Sequence, residues 1–229
     1  MIPVLIILYL GKNKKQLAAR YAGLFSQVSA AFKILLLLTA CIFFGKAALA
    51  QARHYQYDIK KGGDRIGEIN ITHSVSGPVS SLQLVSDIRY RFIFLFTAKS
   101  KEEVVFMNGI MTYSSIYREQ DGDIKIWAKT RKTLYSYVVE RDNKKHELNI
   151  PDVHGHTIGL YIAEPNGQQK VYSDKYQQLV TVEPVSAHRY KIRFPDGNYN
   201  EYFYQDGICK TIKVCQSLFS ATIELKKAF

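Results

Sequence analysis

The chain has 229 residues, of which 31 are lysine or arginine and 20 are aspartate or glutamate, giving a formal net charge of +11. Residues 1–50 hold six of the basic residues and none of the acidic ones, so the remainder carries a net charge of only +5. Over half of the excess positive charge therefore belongs to the N-terminal segment, which argues against a nucleic-acid partner. The chain has three cysteines, which are too few for a disulfide scaffold.

Residues 1–50 are predicted to be a signal peptide or membrane-targeting segment. Lys33 precedes the uncharged run Ile34–Gly45, and Ala48-Leu49-Ala50 supplies the small-x-small pattern that signal peptidase needs before Gln51. The twelve residues of this run would span about 18 Å as a helix, short of the ~30 Å hydrocarbon core. Cleavage is therefore favoured over a permanent anchor, and we expect the mature protein to be periplasmic or extracellular, or membrane-tethered if the segment is retained.

Two features leave alternatives open in this segment. Leu38-Thr39-Ala40-Cys41 resembles a bacterial lipobox, although lipidation at Cys41 would leave the apolar Ile42-Phe43-Phe44 at the mature N-terminus. Ile2–Leu10 is also apolar, so the position of the true start codon stays open.

Residues 51–229 are predicted to form one antiparallel β domain. Apolar residues alternate with polar ones, as in Tyr190, Ile192 and Phe194, and residues that favour turns separate these stretches. The turn segments are Gly62–Asp64, Ser76–Pro78, Asn108–Gly109, Gln120–Asp123, Arg141–Asn143, Pro165–Gly167, Pro195–Asn198 and Asp206–Gly207. Helical patterning is limited to Thr157–Ala163. The pattern predicts an all-β fold, a single curved sheet as a half-barrel or barrel, preceded by an apolar N-terminal helix.

The longest strand pattern, Leu82–Met107, carries large aromatic residues of one parity: Tyr90, Phe92, Phe94 and Phe96. It is too long for one straight strand, so we expect a bend near Thr97–Ser100. The four aromatic side chains either fill the core of the curved sheet or line an apolar cavity on its concave side. They are the candidate ligand-binding residues.

A second candidate site is the stretch Asp152-Val153-His154-Gly155-His156. In an extended chain Asp152, His154 and His156 would project from one face, and two imidazoles with a carboxylate can bind a metal ion. No further ligand is evident, so loop histidines bonded to backbone are the competing interpretation. The sequence predicts no cofactor and identifies no catalytic residue.

Cys209 and Cys215 lie six residues apart with no turn residue between them. Along a strand this separation is about 20 Å, whereas a disulfide needs Cα atoms within about 7 Å. We therefore predict two free thiols on one face of a strand.

The C-terminal stretch 195–225, PDGNYNEYFYQDGICKTIKVCQSLFSATIEL, resembles the end of an uncharacterised family of secreted bacterial all-β proteins. Tyr57-Asp58-Ile59, Ile66-Gly67, Gly159-Leu160-Tyr161 and Glu164-Pro165 fit the same family pattern. The resemblance covers nearly all of residues 51–229, and more distantly it is similar to the half-barrels that carry lipoproteins across the periplasm. It implies a fold and a compartment, but no activity and no catalytic residue.

These observations together predict a secreted or periplasmic, non-enzymatic β domain that binds an apolar or envelope-derived ligand. One alternative is a metal-dependent hydrolase that uses Asp152, His154 and His156. Another is a membrane-tethered structural or interaction domain. Contact with the membrane is expected only through the N-terminal segment.

Overall fold

The structure, a computed structural model, describes residues 51–91, 95–167, 169–217 and 220–229. The predicted signal segment and N-terminal helix lie outside these residues, and the division at residue 50 stays a prediction. No helix within the described ranges has the length and apolar character needed to cross a membrane.

The described residues form a single sheet of fourteen antiparallel strands. The strands are β1 (Gln51–Lys61), β2 (Asp64–Ser76), β3 (Val79–Arg91), β4 (Leu95–Met107), β5 (Ile110–Gln120), β6 (Asp123–Lys132), β7 (Tyr137–Arg141), β8 (Lys144–Leu148), β9 (Lys170–Ser173), β10 (Gln178–Ser186), β11 (Arg189–Arg193), β12 (Tyr199–Gln205), β13 (Ile208–Cys215) and β14 (Ser220–Ala228). One helix of four residues, α1 (Gly159–Ile162), lies in this part of the chain within the predicted helical stretch. The predicted all-β fold is therefore confirmed.

The strand order is β8-β7-β6-β5-β4-β3-β2-β1-β14-β13-β12-β11-β10-β9. The first and last strands of the domain, β1 and β14, thus pair in the middle of the sheet, with Tyr55 opposite Ala228. Strands β8 and β9 form the two edges, so the sheet is not closed into a continuous barrel. Each half is a meander because consecutive strands pair through short turns.

The sheet curls so that its concave face becomes the core. Thr130 in β6 and Tyr172 in β9 have their hydroxyls 3.0 Å apart, although ten strands lie between β6 and β9 in the sheet order. Side chains of alternate residues, such as Tyr57, Ile71 and Ile192, are buried on this face, as period-2 patterning requires.

The prediction of one long strand with a bend near Thr97–Ser100 is wrong. Strand β3 ends at Arg91, strand β4 begins at Leu95, and these two residues pair with each other. The Leu82–Met107 pattern therefore covers two strands of a hairpin. Tyr90 pairs with Phe96, so apolar residues of the same parity lie on one face in both strands. The alternation therefore continues from one strand to the next, and the sequence pattern resembles that of a single strand.

The segment that links β8 to β9 packs against the concave face through residues 158–161. Tyr204 Oη donates a hydrogen bond to Leu160 O at 2.6 Å, and Tyr57 Oη donates to Tyr161 O at 2.6 Å with Cys209 O also within 3.0 Å. Burial raises the pKa of both tyrosine hydroxyls, so they remain protonated donors. These bonds fix α1 against the interior of the sheet.

Candidate functional site

A cavity of about 740 Å³ lies on the concave side of the sheet. This volume falls in the range of pockets that enclose small organic ligands. Its apolar lining comes mainly from β1, β2, β3, β14 and the segment that carries α1: Ile59, Ile69, Leu84, Ile88, Ile158, Tyr161, Tyr202, Val214, Ala221 and Ile223. The exposed residues Gln120 and Lys125 also line it, which places a mouth at the turn between β5 and β6.

Two of the four predicted ligand-binding aromatics line this cavity. They are Tyr90 near the end of β3 and Phe96 near the start of β4. Lys61 Nζ lies 4.7 Å from the centre of the Tyr90 ring. Phe92 and Phe94 lie outside the described residues, so their part of the hypothesis stays a prediction.

An arginine points into the cavity from β5. Arg118 has the same parity as the buried Ser114 and Ile116, and its Nη2 donates a hydrogen bond to Glu102 Oε1 in β4 at 2.6 Å. Burial disfavours the charge of Arg118, but the Glu102 carboxylate outweighs this effect and raises the pKa of Arg118 above its ordinary value. The cavity wall therefore contains a permanent cation that is paired with a carboxylate.

A second polar cluster, the Asp174 clasp, closes the curl of the sheet. It comprises Asp174, which follows β9, with Ser114 in β5, Thr130 in β6, Tyr172 in β9 and His156 in the linking segment. Asp174 Oδ1 accepts from Ser114 Oγ at 2.7 Å, and Asp174 Oδ2 accepts from His156 Nε2 at 2.9 Å. Ile158 N donates to His156 Nδ1 at 3.2 Å, which leaves the ring proton on Nε2.

The Asp174 clasp has the residue types of a hydrolytic triad but not its geometry. In a triad the imidazole lies between the hydroxyl and the carboxylate, so that it can take the proton of the nucleophile. Here the carboxylate lies between Ser114 and His156, so the imidazole is not bonded to the Ser114 hydroxyl. The side chains of His156 and Asp174 are 0% and 1% exposed, so both groups are buried. Its chemistry is that of a structural hydrogen-bond network.

The predicted metal ligands do not come together. Asp152 is exposed and forms an ion pair with Lys132, His154 Nδ1 donates to Gly109 O at 3.0 Å, and His156 is buried in the Asp174 clasp. In the residues that the structure describes, no group of three or more His, Cys, Asp or Glu side chains is placed to hold a metal ion. The metal hypothesis therefore has no geometric support and stays a prediction.

Sequence reasoning missed Arg118, Glu102 and Asp174. A signal for Arg118 was present, because the parity of Ser114 and Ile116 puts a charged residue on the buried face of β5. In the same way, Glu102 in β4 has the same parity as the buried Val104, which puts its carboxylate on the buried face. No local signal marks Asp174, since its partners lie 18 to 60 residues away in the chain.

Comparisons with known proteins agree with this architecture. The model of the family DUF6134, a domain of unknown function, matches residues 57–226. The crystal structure of a beta-barrel-like protein with the domain of unknown function DUF1849 from Brucella abortus superposes with a TM-score of 0.50 at 12% identity. That similarity covers 80% of this chain and 98% of the other chain, and at this identity it concerns the fold alone. No curated protein matches this chain. The predicted resemblance to an uncharacterised all-β family is confirmed.

Proposed function

We propose that this chain, which belongs to the DUF6134 family, is an exported, non-enzymatic domain that binds an apolar or envelope-derived ligand inside its curled sheet. The observation that carries the proposal is the cavity of about 740 Å³ on the concave face. A concave hollow of this size, lined by both apolar and polar side chains, is typical of pockets that bind small ligands.

The lining supports an apolar ligand with a polar part. Strands β1, β2, β3 and β14 contribute aliphatic side chains, whereas β4 and β5 contribute Glu102 and Arg118. An amphiphile would place its chain against the first group and its polar part near the second. Burial of each methylene of such a chain is worth about 0.8 kcal/mol.

Export is supported by the apolar run and the Ala48-Leu49-Ala50 pattern. Cleavage after Ala50 would leave the domain intact, because β1 begins at Gln51. These features support the proposal that the mature domain works in the periplasm or outside the cell. The same sequence features support membrane contact through residues 1–50 only.

Native mass spectrometry of the protein purified from the envelope fraction of its producing cells tests this proposal. We expect the mass of residues 51–229 together with a non-covalent organic adduct that is lost on denaturation. A bare chain that still carries residues 1–50 would instead favour the membrane-tethered structural domain. A stoichiometric metal that disappears in a His154→Ala, His156→Ala variant would favour the hydrolase.

A further inference from the structure

Arg118 has hydrogen-bond donors that the described residues do not use. Its Nη2 donates to Glu102 Oε1 at 2.6 Å, but its Nε is buried and has no hydrogen-bond partner among the described residues. A guanidinium carries five N–H groups in a fixed planar arrangement. Nε itself is enclosed by protein, so an acceptor in the cavity would use the part of the Arg118 side chain that is exposed there.

The accessible charge of the Arg118–Glu102 pair is the positive one. The Arg118 side chain is 39% exposed and lines the cavity, whereas the Glu102 side chain is only 10% exposed. A molecule in the cavity therefore meets more of the guanidinium than of the carboxylate. Five basic and three acidic residues line the cavity in all, but Lys125 pairs with Asp123 and Lys175 pairs with Asp196. One of the three acids, Asp174, is already held by Ser114 and His156.

We propose that the cavity takes an amphiphile with an anionic head group, a carboxylate or a phosphate, which accepts hydrogen bonds from the Arg118 guanidinium. This inference rests on the proposed function and specifies the chemistry of its ligand. The planar guanidinium can bond two oxygens of either anion at once, which a hydroxyl or ester cannot match. The apolar tail lies against the wall formed by Ile69, Leu84 and Ile223.

The experiment compares three ligands that share one chain: sodium palmitate, hexadecyl phosphate and hexadecanol. Binding of each to the purified protein is measured by competition against a fluorescent fatty-acid probe. We expect palmitate or hexadecyl phosphate to bind ~10–100-fold more tightly than hexadecanol, the ratio that corresponds to a charged hydrogen bond. Equal affinities for all three ligands would overturn the anion proposal and leave the proposed function standing. Failure of all three to bind would overturn both.

Two variants separate ligand recognition from a structural role of the pair. Arg118→Met should abolish the preference for the anion while hexadecanol still binds. Glu102→Gln removes the competing carboxylate and should strengthen binding of the anion. If Arg118 served only to stabilise the fold, both variants would lower the melting temperature and neither would change the preference, which would contradict the proposal.

The double variant Arg118→Met, Glu102→Met removes both charges together and guards against misfolding of the single variants. It should bind hexadecanol but show no preference for the anion.

Discussion

At the scale of single residues, the two cysteines of β13 show that one β-bulge changes the face of the sheet on which a side chain lies. Both are free, as predicted. The prediction that they share a face is wrong, because Phe203 pairs with Thr211 while Tyr204 pairs with Cys209, so the register shifts between them. Cys209 is fully buried on the concave side, whereas Cys215 follows the cavity-lining Val214 and lies on the other face.

Native-state alkylation tests this arrangement. Burial raises the pKa of the Cys209 thiol to about 12, so about one molecule in 10,000 would carry the thiolate at pH 8. Iodoacetamide should therefore modify Cys215 but spare Cys209 in the folded protein, and should modify both after unfolding without reductant. Peptide mapping by mass spectrometry distinguishes the two sites. Equal modification of both in the folded protein would show that the bulge is misplaced.

At the scale of strands and turns, the predictable hairpins are those whose turns carry residues suited to a positive φ. Asn108-Gly109 joins β4 to β5 and Asp206-Gly207 joins β12 to β13, with positive φ at all four residues. Between the end of β3 at Arg91 and the start of β4 at Leu95 the sequence is Phe-Ile-Phe, which contains no residue that favours a turn. Turn chemistry is a local signal, so a turn specified by strand pairing alone escapes it.

Two glycines of the family-like pattern should respond oppositely to substitution. A Cβ added to Gly67 in β2 would lie 2.3 Å from Asp87 O and 2.9 Å from Ile88 Cα in β3, and these backbone atoms cannot move aside without disturbing the pairing. Gly67→Ala should therefore lower the free energy of unfolding by ~1–3 kcal/mol or more. The control is Gly159→Ala in α1, where no atom beyond the neighbouring residues and the helix backbone lies within 4 Å of the added Cβ. It should leave stability unchanged or raise it by up to ~1 kcal/mol. Denaturant unfolding measures both, and equal effects would contradict the close approach of β2 and β3.

At the scale of the whole domain, the Asp174 clasp joins distant strands of the sheet, and no sequence pattern reveals that these strands meet. It links β5 and β6 to β9 across the concave face. Periodicity reveals which residues of a strand are buried, but it does not reveal which distant strand they meet. The sequence therefore predicted a curved sheet but left open how its two ends come together. For the same reason it left open whether Tyr90 and Phe96 fill a core or line a cavity, and it did not indicate the Arg118–Glu102 pair.

Substitution of Asp174 tests the clasp. Asp174→Ala would leave the buried donors of Ser114 and His156 without an acceptor, so we expect a loss of roughly 3–5 kcal/mol in the free energy of unfolding. Asp152→Ala is the matched control, because Asp152 is exposed and forms only a surface ion pair with Lys132, worth at most about 1 kcal/mol. Urea unfolding of both variants gives the comparison. A similar, small loss in each would mean that the clasp does not hold the curl together.

The central claim, that a ligand occupies the interior of the curled sheet, is tested most directly by filling the cavity. Ala98 in β4 lines the cavity, and Lys101 in the same strand is exposed and does not line it. Binding of a fluorescent fatty-acid probe is titrated in the wild type, Ala98→Trp and Lys101→Trp. We predict saturable binding by the wild type, binding at least ~10-fold weaker in Ala98→Trp, and unchanged binding in Lys101→Trp. Saturable binding that is equally strong in Ala98→Trp, or none in the wild type, would contradict the claim.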